Sequence, residues 1–370
     1  MAGVDIPRWM WALADDYPFA PPPEGVVPNF EHPKLVHNHS ISIACGISMF
    51  LLVVFSGIRF YAKLSLIRKR TLDDYFYWMS LLMLLLLEAL YMYLDNHGGY
   101  GYHVWEIKLR AVTKPILVIT FIGQIVLQIA IWLIKATILI LIMSAFEPVK
   151  HIRILCWGGI IGTCAFYFAN LIVQVVSCRP RGGTDRIAFL AGIASYQCAG
   201  TNAAIQKMSI IAGCFGVVSD IYILIIPLPA IAKLKISQRQ KIGVYLIFTS
   251  GFMACVASVL SLAFRITAWK TKDLTVDSIP SMTAQIVELT VGLIITCMAS
   301  VAKLSRFLFA ARFPKLFGET TVRDSGAKNE MQPWPRRRHA PSGLSELDSM
   351  KTFGTTVDVG TSRDSSSTRI

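Results

Sequence analysis

Apolar residues occur along this chain in seven blocks of about 20 residues or more, separated by polar stretches. The blocks cover residues 41–61, 75–94, 115–146, 154–176, 205–231, 242–266 and 280–301. A helix of about 20 residues is long enough to cross the hydrocarbon layer of a bilayer. The pattern therefore predicts an all-α, polytopic membrane protein built as a bundle of seven transmembrane helices.

The residues outside these blocks divide the rest of the chain. Residues 1–40 are a polar, proline-rich N-terminal segment, and residues 41–303 are the seven-helix membrane domain. In residues 304–317, bulky apolar and basic side chains alternate, so this juxtamembrane segment is expected either to lie along the inner membrane surface or to be the frayed end of the last span. Residues 318–370 are rich in Ser, Thr, Asp and Gly and are expected to be a disordered tail.

Lysine and arginine residues near the span ends predict the orientation. The first, third and fifth loops and the start of the tail carry 14 of them, whereas the other side carries 10 over longer loops. Cytoplasmic loops of membrane proteins are enriched in these two residue types. We therefore expect the N-terminus outside and the C-terminus in the cytoplasm.

Composition and charge agree with a membrane protein. The chain is 54% hydrophobic and only 16% charged, with a mean hydropathy of +0.53, whereas soluble proteins carry about 25% charged residues. The net charge is +13, but the basic residues behind it lie mainly in loops between spans. They therefore indicate the lipid bilayer as the partner and argue against nucleic-acid binding.

Two of the eight cysteines stand apart from the others. Six lie within predicted spans, where cysteine packs as a small apolar residue. Cys178 and Cys198 both fall in the fourth loop, on the predicted outer, oxidising side. We predict a disulfide between them. The cysteine and histidine spacings match none of the common zinc patterns, so no metal site is expected.

Four ionisable residues lie inside predicted spans: Glu88, Lys135, Asp220 and Glu288. Charges in hydrocarbon are costly, which makes such residues functional candidates. If spans 3 and 5 are neighbours, Lys135 can pair with Asp220; if spans 2 and 7 are neighbours, the two glutamates can pair nearer the outer face. The Lys135–Asp220 pair is then either structural, fixing helix register, or a counter-ion, switch or proton donor for a ligand.

Other polar residues in or near the spans receive simpler interpretations. Arg59 and Arg265 lie near span ends, where long side chains snorkel to the interface. Hydrogen bonds between helices are expected for four amide side chains, Gln124, Gln128, Asn170 and Gln174. The loop from Gly98 to Trp105 is predicted to be a flexible, aromatic-rich hinge in which His103 and Trp105 either contact a ligand or are merely solvated.

Several short motifs, in order over residues 40–317, resemble the fungal rhodopsin-like integral membrane protein family. They are Leu72-Asp73-Asp74-Tyr75, Gly99 with Gly101 and His103, Lys135, Cys178 with Pro180 and Cys198, Asp220 with the Ile226-Pro227-Leu228-Pro229 run, Asp273 with Thr275, and Glu288 with Gly292. The family includes Pth-type receptor-like proteins and membrane proteins of satratoxin-type mycotoxin clusters. The cysteine-rich extracellular module of some relatives is not found in this sequence.

The resemblance implies a receptor-like bundle that uses no cofactor. Retinal is not expected, because its Schiff base needs a lysine deep in the last span and only Lys303, at the inner end, is available there. The first hypothesis is a receptor-like protein that senses a small amphiphilic molecule, or that belongs to a secondary-metabolite pathway, and signals to a cytoplasmic partner through its tail. Its candidate ligand contacts are His103, Trp105, Lys135, Asp220 and Glu288.

Two other functions stay open at this stage. One is an intramembrane cyclase or isomerase of secondary metabolism, in which Glu88, Asp220 or Glu288 is the general acid. The other is a transporter or an accessory membrane scaffold.

Overall fold

The computed structural model describes residues 17–37, 39–67, 71–146, 149–193, 195–199, 204–229, 238–270 and 273–312. Within them, seven long helices follow one another: α1 (Ser40–Ala62), α2 (Leu72–His97), α3 (Lys114–Ala145), α4 (Lys150–Cys178), α5 (Ala204–Ile225), α6 (Gln238–Lys270) and α7 (Leu274–Arg312). All seven contain a stretch long and apolar enough to cross a membrane. The predicted all-α seven-helix architecture is confirmed, and the direction of insertion stays a prediction.

Local sequence explains where several helices begin and end. Thr71 and Asp74 form a capping box at the start of α2, which satisfies backbone N–H groups that have no partner inside the helix. The fifth helix ends at Ile225, earlier than predicted, because Pro227 and Pro229 cannot continue it.

The last helix is longer at both ends than the apolar block that predicted it. It begins at Leu274, so that Pro280 lies inside it, and it runs to Arg312. The first part of the predicted juxtamembrane segment, 304–317, therefore continues this helix. The predicted tail, 318–370, lies outside the described residues.

The central helix of the bundle is α3. Of its apolar stretch, 67% is buried, against 61% for α7 and only 17% and 11% for α4 and α6. A helix packed on all sides by other helices is expected to be apolar around its whole circumference. The outward helices carry exposed phenylalanines, such as Phe50, Phe168 and Phe252, as expected for surfaces that face lipid.

The neighbour relations assumed from the sequence are found in the structure. Lys135 of α3 reaches Asp220 of α5, and the Cys297 thiol of α7 lies 3.4 Å from the Tyr77 hydroxyl of α2. The main core is formed chiefly where α2, α3 and α7 meet, with contributions from α1 and α4. The bundle therefore brings the polar residues of non-consecutive helices together.

The loop between α2 and α3 is held in place, in contrast to the flexible hinge that the sequence predicted. Residues 17–37 run beside it: the Val36 N–H donates to the Gly101 carbonyl at 2.8 Å, and the Phe19 N–H donates to the Ile107 carbonyl at 2.9 Å. Gly101 has φ +98°, and a Cβ there would lie 2.5 Å from the His37 carbonyl oxygen. Only glycine fits this close approach.

The connection from α4 to α5 contains two short helices, Arg186–Ile193 and Tyr196–Ala199. It also contains the predicted disulfide, which joins Cys178 to Cys198. Cys178 is the last residue of α4, and Cys198 lies shortly before the start of α5. The disulfide therefore ties the ends of two neighbouring helices together.

Candidate functional site

A cluster of charged and hydroxyl groups joins four helices in the interior of the bundle. Lys135 of α3 donates to Asp220 of α5 and, at 3.3 Å, to the Gly216 carbonyl. Ser258 of α6 contacts the second oxygen of Asp220 and, at 3.2 Å, Glu288 of α7. Buried ions are tolerated only when paired and hydrogen-bonded in this way. Three of the predicted site residues, Lys135, Asp220 and Glu288, thus come together.

Glu88, the last of the four ionisable residues predicted inside the spans, lies apart from this cluster. Its side chain is fully buried and accepts a hydrogen bond from Ser48 of α1, which in turn contacts Thr290 of α7 at 2.5 Å. Glu88 and Glu288 therefore do not pair. Residues two apart on a helix point about 200° apart, so Thr290 faces α1 while Glu288 faces α6.

A polar cavity of about 220 Å³ opens between six of the seven helices. All its walls lie toward the end of the bundle that carries the α2–α3, α4–α5 and α6–α7 loops, which is the predicted outer end. The lining residues are Tyr91, Gln124, Leu127, Gln128, Asn170, Gln174, Ile205, Gln206, Ser209, Arg265, Ala268, Trp269, Ser278, Ser281, Met282 and Gln285. The cavity is thus lined by every helix except α1.

Amide side chains dominate the polar wall. Asn170 of α4 donates to Gln128 of α3 at 3.0 Å, as expected for a bond between helices. Gln285 donates to the Ser281 carbonyl at 3.1 Å, but its own oxygen has no partner, and neither has the buried hydroxyl of Ser278. Unpartnered buried polar atoms are costly. Water satisfies them when such a cavity is empty, and a polar ligand satisfies them when it is filled.

Arg265 of α6 also lines the cavity, where the sequence predicted a snorkelling side chain. Its Nη1 donates to the carbonyl and hydroxyl oxygens of Ser209 at the long distances of 3.4 and 3.5 Å. Its Nε is buried and has no partner. Gly213 of α5 makes room for it, since a Cβ there would lie 3.3 Å from the Arg265 Cδ and 2.8 Å from the Leu262 Cδ1.

A second, narrow and much smaller space lies between the cavity and the charged cluster. The two spaces share Gln128 and Arg265, and the inner one is also lined by Ser258, Ser261 and Glu288. Glu288 is the only acidic residue that lines either of these two spaces. A molecule in the cavity therefore lies next to groups that hold α3, α5, α6 and α7 together.

His103 and Trp105 anchor the outer loop and are not among the residues that line this cavity. Their rings stack with centroids 4.7 Å apart. His103 Nδ1 lies 2.5 Å from Asp273, and the Val104 N–H donates to the other oxygen of Asp273 at 3.1 Å. These contacts fix the loop to the start of α7. Ligand contact by His103 and Trp105 stays a prediction.

A second charged network lies at the opposite, predicted inner end. The Arg59 side chain is only 2% exposed, so it does not snorkel. It donates to Asp73 at 2.7 Å, to Asp74 at 3.0 Å and to the Thr296 carbonyl at 2.6 Å. Lys63 forms further ion pairs with both aspartates. This network joins α1, α2 and α7.

No metal centre was found in the described part of the chain. There, no three His, Cys, Asp or Glu side chains lie together in a way that could hold a metal ion. The side chains described above offer carboxylate, ammonium, guanidinium, amide and hydroxyl groups.

Sequence reasoning predicted the Lys135–Asp220 pair but named none of the 16 residues that line the cavity as a site residue. Gln206, Arg265, Trp269, Ser278 and Gln285 were not predicted as site residues. A usable signal was present in the spacing of polar residues on otherwise apolar helices: Gln124 with Gln128, Asn170 with Gln174, and Ser281 with Gln285. Residues four apart share a helix face, so each of these helices presents a polar stripe to the interior.

Comparisons with known proteins agree with this architecture. Residues 58–307 match the family model of the fungal rhodopsin domain. The chain is 26% identical over 246 residues to a SAT4 family membrane protein of Emericella nidulans, a match that covers 64% of this chain but only 57% of that relative. It is 23% identical over 323 residues to Fugralins biosynthesis cluster protein 2 of Gibberella zeae, covering 83% of this chain and 75% of that protein.

No solved structure matches the chain. The family match nevertheless extends from the end of α1 almost to the end of α7 and covers well over half of the sequence. This chain therefore belongs to the fungal rhodopsin domain family and is a multi-pass integral membrane protein.

Proposed function

We propose that this protein is a receptor-like membrane protein. It binds a small amphiphilic metabolite in the cavity that the six helices α2 to α7 line. The observation that carries the proposal is the cavity itself, about 220 Å³ in volume and lined by residues of six helices. Ligand pockets typically measure about 300–1,000 Å³. The cavity volume lies below this range, so the cavity suits a compact ligand.

The lining predicts the kind of molecule that fits. Leu127, Ile205 and Met282 supply apolar contact, while the unpartnered polar atoms of Ser278 and Gln285 need hydrogen-bond partners. A molecule with an apolar body and several oxygen atoms satisfies both demands. Because a relative carries the name of a biosynthesis cluster protein, we propose a product or intermediate of secondary metabolism as the ligand.

The position of the cavity next to the charged cluster supports a receptor role. Arg265 and Gln128 line both the cavity and the narrow space that reaches Glu288. Glu288 in turn shares Ser258 with the Lys135–Asp220 pair. A ligand that binds one arrangement of these groups better than another shifts the balance between bundle conformations. We propose that the tail passes this change to a cytoplasmic partner.

One observation favours a second candidate, an intramembrane cyclase or isomerase. Among the carboxylates that the sequence suggested as general acids, only Glu288 lines the described cavity space. Asp220 has both oxygens occupied by Lys135 and Ser258, and Glu88 is fully buried against Ser48. If the protein is an enzyme, Glu288 is therefore its proton donor.

One experiment separates binding from conversion. Membranes from a neutral host that expresses the full chain are incubated with metabolite extract from a strain that lacks the gene, and are then washed. The retained and released compounds are followed by mass and retention time. We expect one compound to be retained with unchanged mass, and retention to fall when Gln285→Leu removes a polar wall group.

The matched control is Phe264→Leu, which alters an exposed residue of α6 and should leave retention unchanged. A new product that disappears with Glu288→Gln would replace the receptor proposal with the enzyme. If folded, inserted protein retains no compound and forms no new product, both candidates are contradicted.

A further inference from the structure

We infer that the cavity ligand is a monoanion, most simply a carboxylate, and that Arg265 is its counter-ion. This inference rests on the proposed function and deepens it by naming the chemical class of the ligand. It depends on three features of the cavity: the charge of its walls, the contacts of Arg265 and the position of Glu288.

The lining of the main cavity carries a positive charge and no negative charge. Among its 16 lining residues, Arg265 is the only one charged at neutral pH, and the lining contains no aspartate or glutamate. The remaining polar groups are neutral amides, hydroxyls and an indole. A single positive charge among neutral hydrogen-bonding groups is complementary to a ligand with one negative charge.

The guanidinium group has an edge available for such a ligand. Its two hydrogen bonds are long, and both come from Nη1 to Ser209, while Nε is buried without a partner. A carboxylate binds arginine best through two parallel N–H···O bonds. The unpartnered Nε therefore points to an oxyanion better than to a neutral group.

Arg265 forms no ion pair with the carboxylates of the described residues. Glu288 lines the adjoining narrow space with it, but Glu288 is held by Ser258 beside the Lys135–Asp220 pair. An unpaired charge inside a membrane bundle is costly, so an anionic ligand gains binding energy from removing that cost.

Gly213 of α5 leaves room for side chains of α6. A Cβ there would lie 2.8 Å from the Leu262 Cδ1 and 3.3 Å from the Arg265 Cδ, which is tight packing. The aliphatic stem of Arg265 is therefore packed against α5 within the bundle.

The test uses three small probes with the full chain in lipid nanodiscs at pH 7.4: 4-hydroxybenzoate, its neutral amide 4-hydroxybenzamide, and the cationic 4-hydroxybenzylamine. Binding is followed by the thermal unfolding midpoint and by saturation-transfer NMR. We expect the acid to act at a concentration about tenfold or more below that of the amide, the factor for one charge-assisted hydrogen-bond pair. The amine should bind more weakly than the amide.

Three variants distinguish the role of Arg265 from a general effect. Arg265→Gln should abolish the preference for the acid, whereas Arg265→Lys should keep part of it, since it retains the charge but loses the planar fork. Glu288→Gln should strengthen binding of the acid, because it removes the negative charge that shares the narrow space. Phe264→Leu, next to Arg265 but exposed, should bind as the unmodified protein does.

Equal binding of acid and amide, binding of neither, or an acid preference that survives Arg265→Gln would overturn the inference. Its failure is separable from failure of the proposed function. If the extract experiment retains a neutral compound, the cavity binds a ligand but the anion inference is wrong; if it retains nothing, the receptor proposal itself is wrong.

Discussion

Arg59 and Arg265 occupy similar places in the sequence but opposite situations in the bundle. Both lie a few residues before the end of an apolar helix. Arg59 meets two aspartates, a backbone carbonyl and the face of Tyr77 at 4.5 Å. Among the described residues, Arg265 forms hydrogen bonds with the oxygens of Ser209 alone, at long distance, and it faces a cavity.

This difference distinguishes polar groups that stabilise the bundle from polar groups that are available to bind a ligand. In the network at the predicted inner end, Arg59 and Lys63 pair with Asp73 and Asp74 of α2, and Arg59 also donates to α7, so the network holds α1, α2 and α7 in register. At the predicted outer end polar atoms of Arg265, Ser278 and Gln285 stay unpartnered. A fully partnered group has nothing left to offer a ligand, whereas an unpartnered one gains from it.

The largest expected effect comes from Arg59→Met. This change leaves Asp73, whose side chain is 4% exposed, without its buried partner, and such losses cost about 3–5 kcal/mol. The measurement is the unfolding midpoint of the purified chain in lipid nanodiscs.

Lys63→Met is the matched control for this change. Lys63 joins the same aspartates, but its side chain is 20% exposed, so water replaces part of the loss. If Arg59→Met were no more destabilising than Lys63→Met, the burial of Arg59 would not be what makes the inner network stabilising.

Lys135→Met is expected to lower the stability of the bundle for the same reason, although Lys135 has fewer partners than Arg59. It leaves Asp220, 12% exposed, with Ser258 as its remaining partner, which should cost about 3 kcal/mol. The double variant Lys135→Met/Asp220→Leu should regain most of this stability, because a pair of apolar residues of similar volume often replaces a buried ion pair without cost.

The double variant also decides between the structural and functional interpretations of the pair. If it is stable and still retains the compound from the metabolite extract, the pair serves helix register alone. If it is stable but no longer retains the compound, the pair belongs to the ligand response. Failure of the double variant to recover stability would contradict the expectation that apolar residues can replace the pair.

Removing the disulfide by Cys178→Ala/Cys198→Ala should cost about 3 kcal/mol in the chain-entropy model for a loop of this length. The loss should fall on the cavity end, because Cys178 closes the helix of Asn170 and Gln174, and Cys198 precedes the helix of Gln206 and Ser209. Hydrogen exchange should rise in those two helices and stay unchanged around Arg59. Equal exchange at both ends would contradict this assignment.

The smallest expected effect on stability is that of Arg265→Gln, within about 1 kcal/mol of the unmodified protein, because the two long bonds to Ser209 are all that is lost. The same variant should lose the preference for acidic probes. A loss of stability as large as that of Arg59→Met would mean that the two arginines have the same role, and the comparison would fail.

Much of the fold was predictable because it depends on local properties of the chain. The seven helices follow from the length of the apolar blocks, and the Cys178–Cys198 disulfide follows from the shared position of both cysteines in one loop. The Lys135–Asp220 pair was predictable as a possibility, since two opposite charges in hydrocarbon gain most by meeting. The start of the last span was predicted less well, because α7 begins at Leu274 and not at Pro280.

The cavity and the roles of its residues were not predictable in the same way. Arg59 and Arg265 have the same local sequence signal, so snorkelling was the simplest interpretation of each. Glu88 and Glu288 lie in spans that are neighbours, yet a turn of about 200° between Glu288 and Thr290 sends the carboxylate away from α1. Such facts depend on helix rotation, which the chain alone does not reveal.

Length and hydropathy along the chain were enough to predict a seven-helix membrane bundle, the helices that form it and the charges that they carry into the membrane. They suffice because the bilayer imposes its demands on each helix separately. Which charges are neutralised and which face the cavity became clear only from the folded bundle. That choice depends on how six helices pack around a shared space, and packing is a property of residues distant in sequence.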